Sequence, residues 1–367
     1  MKHNWEYKKW KDVLTIINGK NQKNVECDNG QYPIYGSGGI MGHANDYLCP
    51  ENTTIIGRKG SINKPLFIAT KFWNVDTAFG LVSNSSLLNP KYLFYFCCNY
   101  NFETLNKAVT IPSLTKNDLL QIGINVPPIS TQQSIVSELD SLSKIIADCK
   151  ETLKDYDALE QSIFYDMFGD PVKNEKGWEV KKLGEICSKI TDGTHNSPIN
   201  DENGSYMYIT AKNIKKDGIV TDDITYVSDE VHKQIYERCN PVYGDVLYIK
   251  DGATTGVATI NHLKKEFSLL SSVALIKPSD RLNNYYLKEV LNTPSMYMSI
   301  RSNMGGAAIT RLTLTKICSI HIPLPPLPLQ QNFASKIEAI EQMKVETKKA
   351  LQEAETLFQA RMDYWFG

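Results

Sequence analysis

The chain has 367 residues, enough for two domains of ordinary size that each bury a core. Hydrophobic residues supply 42% and charged residues 22%, the balance of a globular protein rather than of a disordered or membrane-embedded one. The formal net charge is −1, no apolar run approaches a membrane span, and the polar N-terminus lacks the apolar stretch of a signal peptide, so the expected setting is the cytoplasm with no membrane partner.

Residues 1–130 read as a strand-rich globule. Short β-branched and aromatic runs are punctuated by turn residues, as at 32–35 before Gly36-Ser37-Gly38-Gly39 and at 53–56 before Gly57. A helical stretch is expected at about 90–106, and Val126-Pro127-Pro128 then marks an exit, because proline continues neither a helix nor a central strand. A long helix over 131–170, taken to start near Ser134, carries Ile135, Leu139, Leu142, Ile146, Cys149, Leu153, Tyr156, Ile163 and Met167 at alternating spacings of four and three. That is a heptad seam, broken only by Glu160. The second globule, 171–328, has strand runs at 206–210 and 245–249, the latter before Lys250-Asp251-Gly252, and a helix at 284–292. It leaves through the proline-rich run 322–328. A second long helix, 329–367, repeats the seam with Phe333, Ile337, Ile340, Lys344, Thr347, Leu351, Ala354, Phe358, Arg361 and Trp365, so two cations sit on it.

The chain is thus written twice. Residues 109–169 align without a gap on 307–367, at an offset of 198, and 16 of the 61 pairs are identical. Chance at average composition gives roughly three or four. The shared pairs include Ile111/Ile309, Leu114/Leu312, Pro127/Pro325, Gln132/Gln330 and Phe168/Phe366. At the front, Trp5-Glu6 and Lys8-Lys9 face Trp178-Glu179 and Lys181-Lys182 at an offset of 173, so 25 extra residues fall inside the second globule. Two units on one frame with different middles suit a target that is itself in two parts. The two seams are expected to bury each other as an antiparallel coiled coil of about 50 Å, the length of roughly 15 base pairs.

Charge follows the same division. Residues 1–130 carry +4, 131–169 carry −5, 170–329 carry +1 and 330–367 carry −1. An anionic polymer is expected on the globules and away from the first helix. The eight cysteines are scattered without a Cys-x-x-Cys, and the six histidines form no ligand pattern, so no metal is expected.

In this doubled layout the sequence resembles the specificity (S) subunits of type I restriction–modification systems. The likeness spans essentially the whole chain. It rests on Tyr32-Pro33-Ile34-Tyr35-Gly36, Ile55-Ile56-Gly57-Arg58-Lys59-Gly60 and Phe72-Trp73 in the first globule. In the second it rests on Thr191-Asp192-Gly193-Thr194-His195-Asn196-Ser197-Pro198, Gly244-Asp245-Val246-Leu247 and Asp251-Gly252, together with the Pro-Pro…Gln-Gln exits. The resemblance implies a mixed α/β (α+β) fold with two target recognition domains, 1–130 and 171–328, each followed by a spacer helix. Each domain would read one half of a split asymmetric site in double-stranded DNA, and the helices would set the gap. It also implies a chain without catalytic residues. Two methyltransferase (M) subunits would bring S-adenosylmethionine, and restriction (R) subunits would use ATP and Mg.

Residue types agree with a chain that does no chemistry. An adenine methyltransferase needs a glycine-rich cofactor loop and an Asn/Asp-Pro-Pro-aromatic motif. The nearest strings, Gly36-Ser37-Gly38-Gly39 and Asn89-Pro90-Lys91-Tyr92, read as a turn and a helix start, and no Gly-x-x-x-x-Gly-Lys-Ser/Thr loop occurs. Candidate DNA contacts are the strand-end cations Arg58 and Lys59, with Lys64 and Lys71 along the backbone. In the second globule they are His195 and Asn196 in the loop, Lys212 and Asn213, Lys250, the hydroxyls of Thr254 and Thr255, and Arg311. His195 also reads as a turn residue, and a catalytic role for it is disfavoured because no nucleophile or second base sits nearby in sequence. Trp73, Tyr95 and Tyr100 read as core. Two rival readings stay open: a non-catalytic part of a fused nuclease or methyltransferase, and a coiled-coil adaptor without a DNA role.

Overall fold

The computed structural model describes residues 5–106, 112–302 and 311–367, so Ile111 and Ile309 of the repeat lie outside the described residues. The chain divides into two compact units, Met1–Glu151 with Lys348–Gly367, and Thr152–Thr347. This is not the division at 1–130, 131–170, 171–328 and 329–367, because each unit takes part of both long helices.

The first unit runs β1 (Glu6–Lys9), α1 (Trp10–Val13), β2 (Leu14–Asn18), β3 (Tyr32–Gly36), β4 (Gly39–Ala44), β5 (Thr53–Gly57), β6 (Leu66–Ile68), β7 (Trp73–Asn74), β8 (Ala78–Ser83), α2 (Pro90–Asn99), α3 (Lys116–Leu119), β9 (Gly123–Val126) and the start of α4 (Ile129–Phe168). An antiparallel sheet ordered β2-β8-β5-β6 forms its middle, with β4-β3-β7 beside it and β1 paired to β9. Strand β5 is buried along its whole length, which is why Thr53-Thr54-Ile55-Ile56 shows no polar alternation.

The second unit starts with the end of α4 and continues β10 (Val180–Lys182), α5 (Leu183–Ile186), β11 (Cys187–Asp192), β12 (Tyr206–Ile209), β13 (Ile214–Lys215), β14 (Gly218–Ile219), β15 (Thr225–Val227), α6 (Asp229–Arg238), β16 (Val246–Ile249), β17 (Ala258–Ile260), β18 (Phe267–Leu269), β19 (Val273–Pro278), α7 (Asn284–Asn292), α8 (Pro294–Ser302), α9 (Leu314–Cys318), β20 (His321–Pro323) and the start of α10 (Leu327–Phe366). Its sheets, β11-β19-β16-β17, β15-β12-β18 and β10-β20, repeat those of the first unit. The parallel pairs β3·β7 and β12·β18 correspond as well. Most of the extra length lies between β12 and β16, where β13, β14 and α6 are added, and a smaller part is α8.

The same hydrogen bonds hold both frames. Gln132 is fully buried; its Oε1 accepts from Asn89 N at 2.7 Å, and its Nε2 donates to Leu87 O at 2.9 Å and Pro127 O at 2.8 Å. Gln330, also fully buried, accepts from Asn283 N at 2.8 Å and donates to Arg281 O at 3.3 Å and Pro325 O at 2.8 Å. Asn89 and Asn283 in turn cap α2 and α7. Gly19 and Gly193 allow the same close crossing: a Cβ would fall 1.7 Å from Val75 O in one unit and 1.8 Å from Leu269 O in the other.

Three expectations need correction. Helix α4 starts at Ile129 rather than Ser134, because the carbonyl of Pro128 accepts Gln132 N at 3.1 Å and closes a first turn that asks no N–H of the prolines. Both long helices therefore have 40 residues, about 60 Å each. The stretch at 90–106 breaks after Asn99, where Tyr100 is extended and Asn101 caps a separate 3-10 turn, Phe102–Leu105.

The seams are buried within each unit. In the first, Ile135 and Leu139 join Trp10, Tyr92 and Met362, with Phe358 and Trp365 against them. Glu138 accepts from Arg361 Nη2 at 2.9 Å and Trp365 Nε1 at 3.1 Å. In the second unit Phe333, Ile337 and Ile340 pack with Phe164 and Phe168, and Tyr156, Ile163 and Met167 lie against them. The residues that interrupt the seam here meet each other: Lys344 Nζ lies 2.9 Å from Glu160, and both side chains are nearly inaccessible. Leu142, Ile146, Cys149, Leu153, Thr347 and Leu351 are half-buried. Partner order is reversed in both units, with 138 and 150 facing 361 and 355, and 160 and 164 facing 344 and 333, so the helices are antiparallel.

The repeated Phe-Gly endings have a matching role. Phe366 packs on Tyr92 with ring centroids 5.0 Å apart, and Phe168 packs on Tyr286 at 4.7 Å.

Burial works against the charge on Lys344, yet the carboxylates of Asp157 and Glu160 outweigh it and raise its pKa. Lys344→Met alone leaves Glu160 buried without its partner and should cost about 3–5 kcal/mol in urea unfolding of the whole chain. Adding Glu160→Leu should recover most of the loss; a double variant no better than the single one would show that the pair is not coupled. The hydrogen bond from Arg361, with that from Trp365, holds the Glu138 carboxyl below its usual range. Its contribution is present above the ordinary glutamate pKa and is lost as pH falls through the depressed value. Glu138→Gln should therefore flatten the acid limb of a tryptophan-fluorescence titration.

Candidate nucleic-acid interface

In the first unit β5 delivers Arg58 and Lys59 to the sheet end. Their backbone is clamped from two sides: Arg58 N donates to Thr77 O at 2.8 Å, Arg58 O accepts from Leu114 N at 3.0 Å, and Lys59 bridges to Ser113. Gly60, at φ +77°, then turns the chain. The half-buried Arg58 guanidinium lies 5.7 Å from the Phe79 ring centre, and Lys59 is exposed. Lys64 is exposed, and Lys71 sits 4.6 Å over the Tyr47 ring, which packs on Tyr32. Among the described residues none of these four cations has an acidic partner.

The second unit uses the same backbone arrangement with different side chains. Lys250 replaces Arg58 at the end of β16, and its carbonyl accepts from Leu312 N at 2.8 Å, as that of Arg58 does from Leu114. The charges are paired internally. Asp192, 1% exposed at the end of β11, lies 3.3 Å from Lys250 Nζ, 3.1 Å from Arg238 Nη1 and 3.3 Å from His195 Nε2. Lys250 also meets Asp251 at 3.3 Å, and Asp251 binds Arg311 Nε at 3.3 Å.

Three of the candidate contacts are therefore corrected. Lys250 is buried, with its ammonium between two carboxylates, Asp192 at the end of β11 and Asp251 just beyond β16. Asn213 is buried because it forms a capping box with Thr210 and bonds the carbonyls of Val220 and Asp223. Thr255 is buried with its hydroxyl on Gly252 O at 2.7 Å. These three hold loops in shape and present no surface to a ligand.

The other second-unit candidates are placed as follows. His195, Asn196, Thr254 and Arg311 are exposed, and Lys212 is exposed but paired with Asp223 at 2.9 Å. His195, Lys250 and Arg311 share one ionic network; Lys212 lies outside it. Trp73 and Tyr95 are core, while Tyr100 is half-buried and stacks on Phe96 at 5.5 Å. The methyltransferase lookalikes are structural: Gly36 and Gly39 close the β3–β4 hairpin, and Asn89 caps α2.

Sequence reasoning missed Arg238 and Gln234 on α6 and the central position of Asp192. Asp192 lay inside a quoted motif, but its partner Arg238 is 46 residues away on a helix with no counterpart in the first repeat. No group of three or more His, Cys, Asp or Glu could hold a metal among the described residues, and no described helix is long and apolar enough to cross a membrane.

With two repeated frames and two loop clusters established, comparison with known proteins is decisive. The type I restriction modification DNA specificity domain matches residues 2–155 and 175–355. The chain belongs to that family. It is 23% identical over 400 residues to the type I restriction enzyme MjaIX specificity subunit of Methanocaldococcus jannaschii, covering 95% of this chain and 89% of that one. The MjaVIII specificity subunit of the same organism is 19% identical over 373 residues, covering 94% and 88%. In fold it is similar to the S subunit of a type I restriction–modification system from M. genitalium, with a TM-score of 0.69, 16% identity, and 99% and 96% of the two chains covered. A chain from a study of complex assembly and conformational transition in the type I system aligns with a TM-score of 0.57, 19% identity, and 99% and 97% coverage.

The network gives a stability test for this specificity domain. Lys250→Met leaves Asp192 buried with one fewer cation and should cost the second unit about 3–5 kcal/mol. Arg311→Ala removes an exposed partner and should cost below about 1 kcal/mol. Urea unfolding of the two variants checks the order, and equal losses would show that burial does not set the energetics here.

Proposed function

We propose that each unit of this specificity subunit reads one half of a split, asymmetric DNA site, and that the antiparallel helices fix the gap between the halves. The observation that carries the reading is a common hydrogen-bonded frame, anchored by Gln132 and Gln330, that bears different loops at corresponding strand ends. Divergence concentrated in the segments between the shared strands is what two separate specificities require. Loop side chains contact base edges while Lys, Arg and backbone amides hold phosphates. Arg58, Lys59, Lys64 and Lys71 serve the first half-site; His195, Asn196, Thr254 and Arg311 serve the second.

The chain supplies recognition and no chemistry of its own. Two modification subunits carrying S-adenosylmethionine methylate adenine, and restriction subunits add ATP- and Mg-dependent translocation and cleavage. The long helices offer the modification subunits exposed apolar positions, among them Ile145 and Leu159 on α4 and Val345 and Leu357 on α10.

Co-expression with the cognate modification subunit in a methylation-free host, followed by mapping of modified adenines, tests the reading. A two-part motif with a fixed gap, absent without this chain, is expected; modification without such a motif would refute it. In the same assay, replacing Arg58 and Lys59 together with alanine should weaken methylation through one half-site only. Equal loss at both halves would remove these residues from base or phosphate contact.

A further inference from the structure

The segment between β12 and β16 that has no counterpart in the first unit contains α6, and α6 forms one wall of a polar cavity. One side of the helix is buried: His232 stacks on Tyr206 with ring centroids 3.6 Å apart and meets Ser268, and Ile235 enters a core cluster. The adjoining stripe, Val231, Gln234, Ile235 and Arg238, follows the spacing of a single helix face. It borders a cavity of about 280 Å³ whose other wall is the loop after β11, with His195 and Asn196.

Arg238 is fixed in that cavity while half its side chain stays exposed. Its Nη1 donates to Asp192 at 3.1 Å, and its Nη2 donates to the Gly193 carbonyl. A guanidinium tied on one side to a buried carboxylate keeps its remaining N–H groups outward with few rotamers left to lose on binding. Gln234, exposed one turn earlier, adds an amide donor and acceptor.

We propose that Arg238 reads a guanine edge in the second half-site, that Gln234 reads the adjacent base, and that Asp192 is the positioning residue for Arg238. This inference rests on the DNA-recognition reading above and assigns it a place in the second unit. A base edge fits better than a phosphate because Asp192 already offsets much of the positive charge of Arg238. What remains is directional hydrogen bonding at low net charge, which suits bidentate readout. The location agrees, since a residue that distinguishes the two half-sites belongs where the two frames differ.

The test uses the complex of the full chain with its modification subunit, assayed for methyl transfer on duplexes carrying every base at every position of both half-sites. Arg238→Ala and Gln234→Ala alter exposed side chains. Each should lower discrimination at one position of the second half-site by about 10- to 100-fold, and the two positions should be adjacent. The first half-site should keep its preferences. Asp192→Asn, which also loosens His195 and Lys250, should relax the Arg238 position while the first half-site stays unchanged. Uniform loss across all sequences with a shallower salt dependence would mark a phosphate contact and overturn the proposal, as would unchanged discrimination. A wild-type complex with no two-part preference would overturn the recognition reading itself. A wild-type preference that Arg238→Ala leaves intact would remove only the assignment made here.

Discussion

The last turn of each long helix completes a core that the sequence began elsewhere, and the rest of the architecture depends on this. Phe366 and Met362, near the end of the chain, join the cluster of Trp10 and Tyr92, so the first unit is closed only when residues 348–367 have returned to it. The second unit is continuous in sequence, yet it uses Phe168 from the end of α4 against Tyr286 and Phe333. One unit can therefore assemble from an unbroken segment, while the other must wait for a contact of very long sequence separation. Truncating α10 would open the first unit's core rather than merely shorten a spacer.

Given that closure, the polar seam residues select one alignment. A heptad slip of α10 along α4 in the second unit would set Glu160 against Ile337 or Leu351 instead of Lys344. That would bury a carboxylate without a partner, at a cost of about 3–5 kcal/mol. Arg361 and Glu138 add a second, more exposed constraint in the first unit. Apolar positions alone would tolerate the slip far better, because heptads repeat and each Ile or Leu finds another. Charged residues that weaken a seam in isolation thus specify its register when they come as complementary pairs.

The sequence already displayed the frame, because its determinants are local or repeated. The heptads, the proline exits, the Gln132/Gln330 match and the strand runs around Ile55 and Leu247 are visible as patterns, and each turned out to be an element or an anchor. The prolines do mark the boundary before α4, but a start near Ser134 is too late, because the first turn closes directly on the Pro128 carbonyl. The candidate site was less legible. Position at a strand end identified Lys250, but burial is set by what lies opposite, and no spacing rule announces that Asp192 and Asp251 converge on it. Glu160 and Lys344 looked like two defects for the same reason: their meaning lies in a pairing across 184 residues of chain.

The two units meet DNA with unequal electrostatics, and this bears on how such a near-neutral chain binds a polyanion. In the first, Arg58, Lys59, Lys64 and Lys71 face solvent or aromatic rings without acidic partners among the described residues. In the second, Asp192, Asp251 and Asp223 pair with Arg238, Lys250, Arg311 and Lys212 and offset most of their charge. Counterion release scales with the cations left free to replace condensed ions on the backbone, so on the proposed contacts the salt-dependent part of affinity would fall mainly to the first unit. On the same contacts the second would rely on hydrogen-bond geometry held by its internal ion network, a source of selectivity more than of raw affinity. Two such contacts carried on one chain would act as one bivalent ligand, and a site with both halves at the permitted gap would then gain what neither half-site provides.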